Sequence, residues 1–221
     1  MKHVPPSIDW RNHNAVTPVE TQGGCGSCWA FAVVAAIEGI EAIRTGRLTQ
    51  LSEQQIIDCN EDHEGCNRGR MDHGYEFVRK NGGLASDNDY PYIATQGACA
   101  NNKPSSLTSK IIGFSCIPNN NEAALLAAVA NQPVTVNINP QLLQFYRSGV
   151  LTGECGSQLT DLIHIVTIIG YGVSENGVDY WLIKNSWGPV WGENGYARVH
   201  RNIGAMEGQC GIATFGCYPN V

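Results

Sequence analysis

Gln22-Gly23-Gly24-Cys25-Gly26-Ser27-Cys28-Trp29-Ala30-Phe31 is the stretch on which the reading of this chain turns. From Cys28 onward apolar residues recur at helical spacing (Phe31, Val34, Ala35, Ile37, Ile40, Ile43), and Gly46 follows as a stop. Cys28 therefore opens a helix. The unpaired N–H groups and partial positive charge at that end favour a thiolate, which predicts a lowered thiol pKa and a nucleophilic sulfur. The glycines before it let the backbone approach a ligand closely. The same peptide also reads as half of a structural disulfide, as a Cys-x-x-Cys redox dithiol, or as half of a zinc site. A zinc site needs a second ligand pair at similar spacing, and Cys59 and Cys66 are too far apart. A redox motif follows a strand in a βαβ unit, whereas a Pro- and Gly-containing loop precedes this one.

Working outward, Ser52-Glu53-Gln54-Gln55 has the Ser-x-x-Gln form of a capping box. A third helix is expected over 71–81, closed by Gly82-Gly83, and a short one over 122–130 before Pro133. The chain then turns strand-like over 134–138, 163–171, 179–183 and 196–200, in β-branched and aromatic runs bounded by Gly, Asn and Pro. Helices early and strands late predict an α+β protein of two lobes, with the change of character near residue 115.

A thiol nucleophile needs a base. Of the six histidines, His164 stands at the head of an apolar strand, Leu162-Ile163-His164-Ile165-Val166, where packing fixes an imidazole in place. The base needs a partner on its other nitrogen. Lys184-Asn185-Ser186-Trp187-Gly188 supplies Asn185, with Trp187 able to shield the contact from water. A neutral amide orients imidazole without pairing with its charge.

Composition narrows the function classes. The formal net charge is −6 and there is no run of Lys and Arg, which argues against nucleic acid and against an anionic membrane surface. No stretch approaches the roughly 20 apolar residues of a spanning helix, since 29–40 is short and interrupted by Glu38. The first residues, Met1-Lys2-His3, are not a signal peptide and look like an expression start on a mature chain. Nine cysteines suit an oxidising compartment, and an odd number leaves one thiol over. No Asn-x-Ser/Thr sequon occurs.

With these residues quoted, the chain resembles the papain-like cysteine peptidases, plant members above all. The family signature stands at Cys25-Gly26-Ser27-Cys28-Trp29, with His164 and then Asn185 far downstream in the family's order, Asn185 slightly beyond its usual separation. Further matching blocks run from Ser7-Ile8-Asp9-Trp10-Arg11 through Leu51-Ser52-Glu53-Gln54-Gln55 and Ala130-Asn131-Gln132-Pro133-Val134 to Cys210-Gly211-Ile212.

The resemblance implies a helical lobe (14–115 plus the tail 217–221) and an antiparallel β-barrel-like lobe (116–216 plus 1–13), with an active-site cleft between them. It implies peptide hydrolysis by Cys28 and His164 as a thiolate–imidazolium pair, oriented by Asn185. Gln22 matches the oxyanion-hole side chain, and donors so aimed are worth roughly 3–4 kcal/mol of barrier. It implies disulfides Cys25–Cys66, Cys59–Cys99 and Cys155–Cys210. Cys116 and Cys217, absent from the common pattern, are expected to form a fourth. Substrate is expected to meet Gly69, Arg70, Met71, Asn137, Leu162, Ile163, Ile165, Trp187 and Phe215. Ile163 replaces the usual Asp or Asn and Arg70 a frequent aromatic. These two changes imply a shifted pH profile and a shallower pocket tolerant of polar side chains, unless Arg68 and Arg70 point to solvent. No metal or organic cofactor is implied. The expected partners are polypeptide substrates, cystatin-like inhibitors and the enzyme's own propeptide. The enzyme is expected to be a monomer that is secreted or held in a vacuole or lysosome. The rival readings are an exopeptidase of the same family, an inactive storage or binding homologue, and a disulfide oxidoreductase.

Overall fold

The computed structural model describes residues 4–60, 65–100 and 107–221; Met1–His3 and His63 lie outside them. The longest helix, α1 (Cys28–Thr45), is buried on nearly every side, so its apolar residues outnumber those of a one-sided amphipathic helix. Gly46 closes it in the left-handed region at φ 73°, its N–H returning to the Ala42 carbonyl. Helix α2 (Glu53–Cys59) starts where the Ser52 side chain accepts from the Gln55 amide at 3.0 Å. The reciprocal half of the expected capping box is missing. The Gln55 side chain accepts instead from the Ala85 amide at 2.8 Å, because that buried N–H has prior need of a partner. Helices α3 (Met71–Asn81) and α4 (Glu122–Val129) fall where the sequence places them; Gly82 ends α3 and the Asn121 side chain caps α4.

Among the described residues, eight strands form one mostly antiparallel sheet: β1 (Ile8–Asp9), β2 (Gly113–Cys116), β3 (Val134–Ile138), β4 (Val150–Leu151), β5 (His164–Val173), β6 (Asp179–Lys184), β7 (Tyr196–His200) and β8 (Gly216–Asn220). Their order is β2-β8-β3-β5-β6-β7-β4, with β1 added to β5 and only β4–β7 parallel. The chain is therefore an α+β, two-lobe fold. One core joins α1, α2 and α3 around Trp29, Ile37, Met71 and Tyr75; a second lies within the sheet and against α4, around Val136, Leu143, Ile168 and Trp181. The faces meet where α1 crosses β5 and β3. There the Ala32 carbonyl accepts from the Thr135 and Thr167 hydroxyls, and Tyr75 Oη pairs with Thr135 Oγ1 at 2.6 Å.

Four disulfides link Cys25–Cys66, Cys59–Cys99, Cys116–Cys217 and Cys155–Cys210. Cys116 and Cys217 are direct partners in the β2–β8 ladder. No helix of the described residues is long and apolar enough to cross a membrane.

Candidate active site

Cys28 is the free cysteine that remains, at the first position of α1 and only 5% exposed. The loop ahead of it is tightly held. The Gly26 amide donates to the Cys66 carbonyl at 3.0 Å, and a Cβ on Gly26 would come within 2.5 Å of that oxygen, so no larger residue fits. A groove at this point is lined by Gln22, Gly23 and Cys28 from the helical side and by Ile163, His164 and Trp187 from the sheet.

His164 begins β5, opposite Ile138 of β3. Its Nε2 lies 2.8 Å from Asn185 Oδ1, just past the end of β6. The Ser186 amide donates to the same oxygen at 2.8 Å. A backbone N–H can only donate, so that atom of Asn185 is the carbonyl oxygen, and His164 Nε2 must carry the proton. The Nδ1 lone pair is then left for the groove. Trp187 stacks on the imidazole at 4.7 Å between ring centroids, inclined 28°. Asn185 Nδ2 is buried with no hydrogen-bond partner among the described residues.

Burial governs the electrostatics. It pushes the His164 pKa down to about 4, against the raising effect of the Asn185 hydrogen bond. It also raises the Cys28 thiol, outweighing the lowering effects of the Ile165, Trp29 and Cys28 amides and of the Arg68 charge. The lowered thiol pKa expected from the helix terminus is thus not what Cys28 has on its own: the amides are present, but desolvation exceeds them. An ion pair here depends on mutual attraction.

Gln22 is fixed at three points. Its amide N–H donates to the Ser186 carbonyl at 2.8 Å, its Oε1 accepts from Ser186 Oγ at 2.7 Å, and its Nε2 donates to the Cys25 carbonyl at 2.7 Å. One Nε2 hydrogen remains for the groove. Tyr92 braces the same loop, its hydroxyl lying 2.7 Å from the Gln22 carbonyl and 2.8 Å from Ser27 Oγ. Neither Ser186 nor Tyr92 was singled out from sequence; only the proximity of Ser186 to Asn185 hinted at it.

Of the residues expected to meet substrate, Ile163 (47% exposed) and Trp187 line the groove. Asn137 lies opposite Ile165 in the β3–β5 register and donates to the Leu162 carbonyl at 3.0 Å, while its own amide donates to the Phe215 carbonyl. These four residues are therefore neighbours, with Asn137 supporting the turn before His164. Met71 requires correction: at 1% exposure it belongs to the helical core and offers a ligand almost no surface. Arg70 also turns away. Its guanidinium is paired with Asp72 (Nε–Oδ1 3.0 Å, Nη2–Oδ2 2.6 Å) and its side chain is 62% exposed, because a nearby carboxylate in water outcompetes an apolar pocket for a cation. Gly69 is half-buried beside it.

Beneath the groove, Glu20 and Glu53 share a small enclosed space with Cys28 and Lys184, and Glu38 lies behind it on α1. Glu38 accepts from Thr17 Oγ1 at 2.6 Å and from the Leu51 amide at 2.8 Å, and Lys184 Nζ donates to Thr17 Oγ1 at 2.7 Å. Burial pushes Glu38 up to about 7 and Glu53 well above the usual carboxylate range.

Comparison with known proteins agrees with this geometry. The family described as "Papain family cysteine protease" matches residues 4–220. Vignain of Phaseolus vulgaris is 51% identical over 98% of this chain and 60% of its own length. Cysteine endopeptidase RepA of Oryza sativa subsp. japonica is 49% identical over 98% of the chain and 58% of its length. The chain thus spans about 60% of the length of these curated relatives. Among solved structures, bromelain protease from Ananas comosus in complex with the E64 inhibitor is 46% identical at TM-score 0.93, over 99% of this chain and all of that one. The ragweed pollen allergen Amb a 11, a cysteine protease in its proform, is 46% identical at TM-score 0.94, over all of this chain and 66% of that one. With that match across nearly its whole length, the chain belongs to the papain family of cysteine proteases.

Proposed function

We propose that the protein is a cysteine endopeptidase. The observation that carries this is the one unbridged cysteine at a helix start, sharing a groove with an imidazole whose far nitrogen is held by a buried amide. In this reading the Cys28 thiolate adds to the peptide carbonyl, and the oxyanion is met by Gln22 Nε2 and the Cys28 amide. As the C–N bond breaks, the His164 imidazolium gives its proton to the leaving amine, leaving a thioester. Imidazole then takes a proton from water, hydroxide adds to the thioester, and the acid departs as the thiolate re-forms. Asn185 holds the ring in one orientation throughout, accepting from Nε2.

The two cores support lobes of 14–115 with 217–221 and of 116–216 with 1–13, joined where α1 packs on β5 and β3. Four disulfides support a secreted or vacuolar location. We read the enzyme as a monomer open to cystatin-like inhibitors and to an inhibitory pro-segment, in keeping with the proform of the ragweed relative.

Incubation with an epoxide peptide inhibitor of the E64 class tests the reading. Stoichiometric modification of Cys28 with parallel loss of proteolysis is expected. Proteolysis that survives full modification would overturn it, as would a thiol that never reacts.

A further inference from the structure

Arg68 is a groove residue for which neither the mechanism nor the fold has a use. It is exposed and lines the groove together with Cys28, Gly23 and His164. Its backbone sits at φ 67°, in the left-handed region that glycine adopts freely and an arginine only at a cost. The loop that imposes this conformation is anchored by the Cys25–Cys66 disulfide, by the Gly26 N–H to Cys66 carbonyl bond and by the Gly26–Asn67 bridge. The stem packs on Gly26, with Arg68 Cγ about as near as a Cβ there would tolerate (3.4 Å). The root of the side chain is therefore fixed at the groove's rim while its head is free. Arg70, two residues on, is tied to Asp72, whereas Arg68 forms no hydrogen bond or ion pair with any described residue. Its charge nonetheless reaches the groove floor, where it favours the ionised form of Cys28. In a chain of net charge −6, a strained cation without a partner among the described residues stands at the groove.

We propose that Arg68 is a specificity-determining residue whose guanidinium receives the carboxylate of an Asp or Glu side chain in the polypeptide substrate, upstream of the bond cut. This rests on the endopeptidase reading, in which extended substrate passes Gly69, the next residue in the chain. A guanidinium fork donates two parallel hydrogen bonds to a carboxylate, which a neutral amide of the same shape cannot match.

The test is the ratio of kcat/KM for peptides that differ only by Glu, Gln or Lys at the second, third or fourth residue upstream of the cut. It is measured with the wild type, Arg68→Gly and Arg68→Glu, at low and at high salt. At one of these positions the wild type is expected to prefer Glu over Gln about two- to fivefold at low salt, the range of a solvent-accessible ion pair, carried mainly by KM and reduced by salt. Arg68→Gly brings the ratio to about one, and Arg68→Glu turns the preference to Lys. Glycine accepts the left-handed backbone without strain, so Arg68→Gly folds with an unchanged or higher Tm. A Glu/Gln ratio near one at all three positions in the wild type, or one that Arg68→Gly leaves intact, overturns the role of Arg68 alone. If the wild type cleaves none of the peptides, the endopeptidase reading falls and this inference with it.

Discussion

At the scale of single residues, burial drives Cys28 and His164 each toward the neutral form, so the proposed thiolate–imidazolium pair requires each charge to sustain the other. Removing the imidazole should therefore leave a thiol titrating above its ordinary range instead of a reactive thiolate. His164→Ala is expected to slow alkylation of Cys28 by iodoacetamide near pH ~6 by at least about 100-fold, with the rate rising only in alkali. An alkylation rate at that pH equal to the wild type's would show that the helix terminus alone ionises the sulfur. Cys28, His164 and Asn185 were readable from sequence because each carries chemistry that few other side chains can supply. Ser186, Tyr92 and the partner of Arg70 were not, since a hydrogen bond between distant segments leaves no mark on local pattern.

Among the elements, α1 carries the proposed nucleophile and also joins the two cores, and Gly39 marks how closely it is packed. A Cβ there would meet Pro133 Cγ at 2.5 Å and Cδ at 2.9 Å, and the Ala15 carbonyl at 3.1 Å. A proline ring and a backbone oxygen have little room to yield. Gly39→Ala should cost roughly 1–3 kcal/mol in urea unfolding despite alanine's better helix propensity; a stabilised variant would contradict the packing. The Cys116–Cys217 bridge closes a loop with a sequence separation of 101 across paired strands. The double change Cys116→Ser and Cys217→Ser is expected to lose ~2–4 kcal/mol. A change within error would mean that the β2–β8 ladder already confines the unfolded chain. Helices and long strands were evident from periodicity and caps. The two-residue strands β1 and β4 are shorter than any period, and β8 contains Pro219 and Gly216, residues that read as turn.

For the molecule as a whole, the buried acids set the pH response. Glu38 titrates near 7 when folded and near its ordinary value when unfolded, so between about pH 4.5 and 7 the folded chain holds the extra proton. Its contribution to stability is complete below that window and is lost as pH rises through it. His164, lowered to about 4, acts in the opposite sense: its contribution is present above about 6.5 and is lost as pH falls toward 4. Glu38→Gln isolates the first effect. The variant should gain on the wild type with rising pH, by up to roughly 3 kcal/mol at pH ~8, in denaturant unfolding followed across pH. A difference independent of pH would show that Glu38 is ionised throughout. The sequence alone determined the helices, the longer strands and the family, and pointed to Cys28 and His164 as the proposed nucleophile and base, because these follow from residue chemistry and local periodicity. Only the tertiary structure decided which titratable groups are buried, that Met71 is sealed in a core, and that Arg68 lines the groove while Arg70 pairs with Asp72. Each of those depends on desolvation and on neighbours brought together through space, and neither is written in any local run of residues.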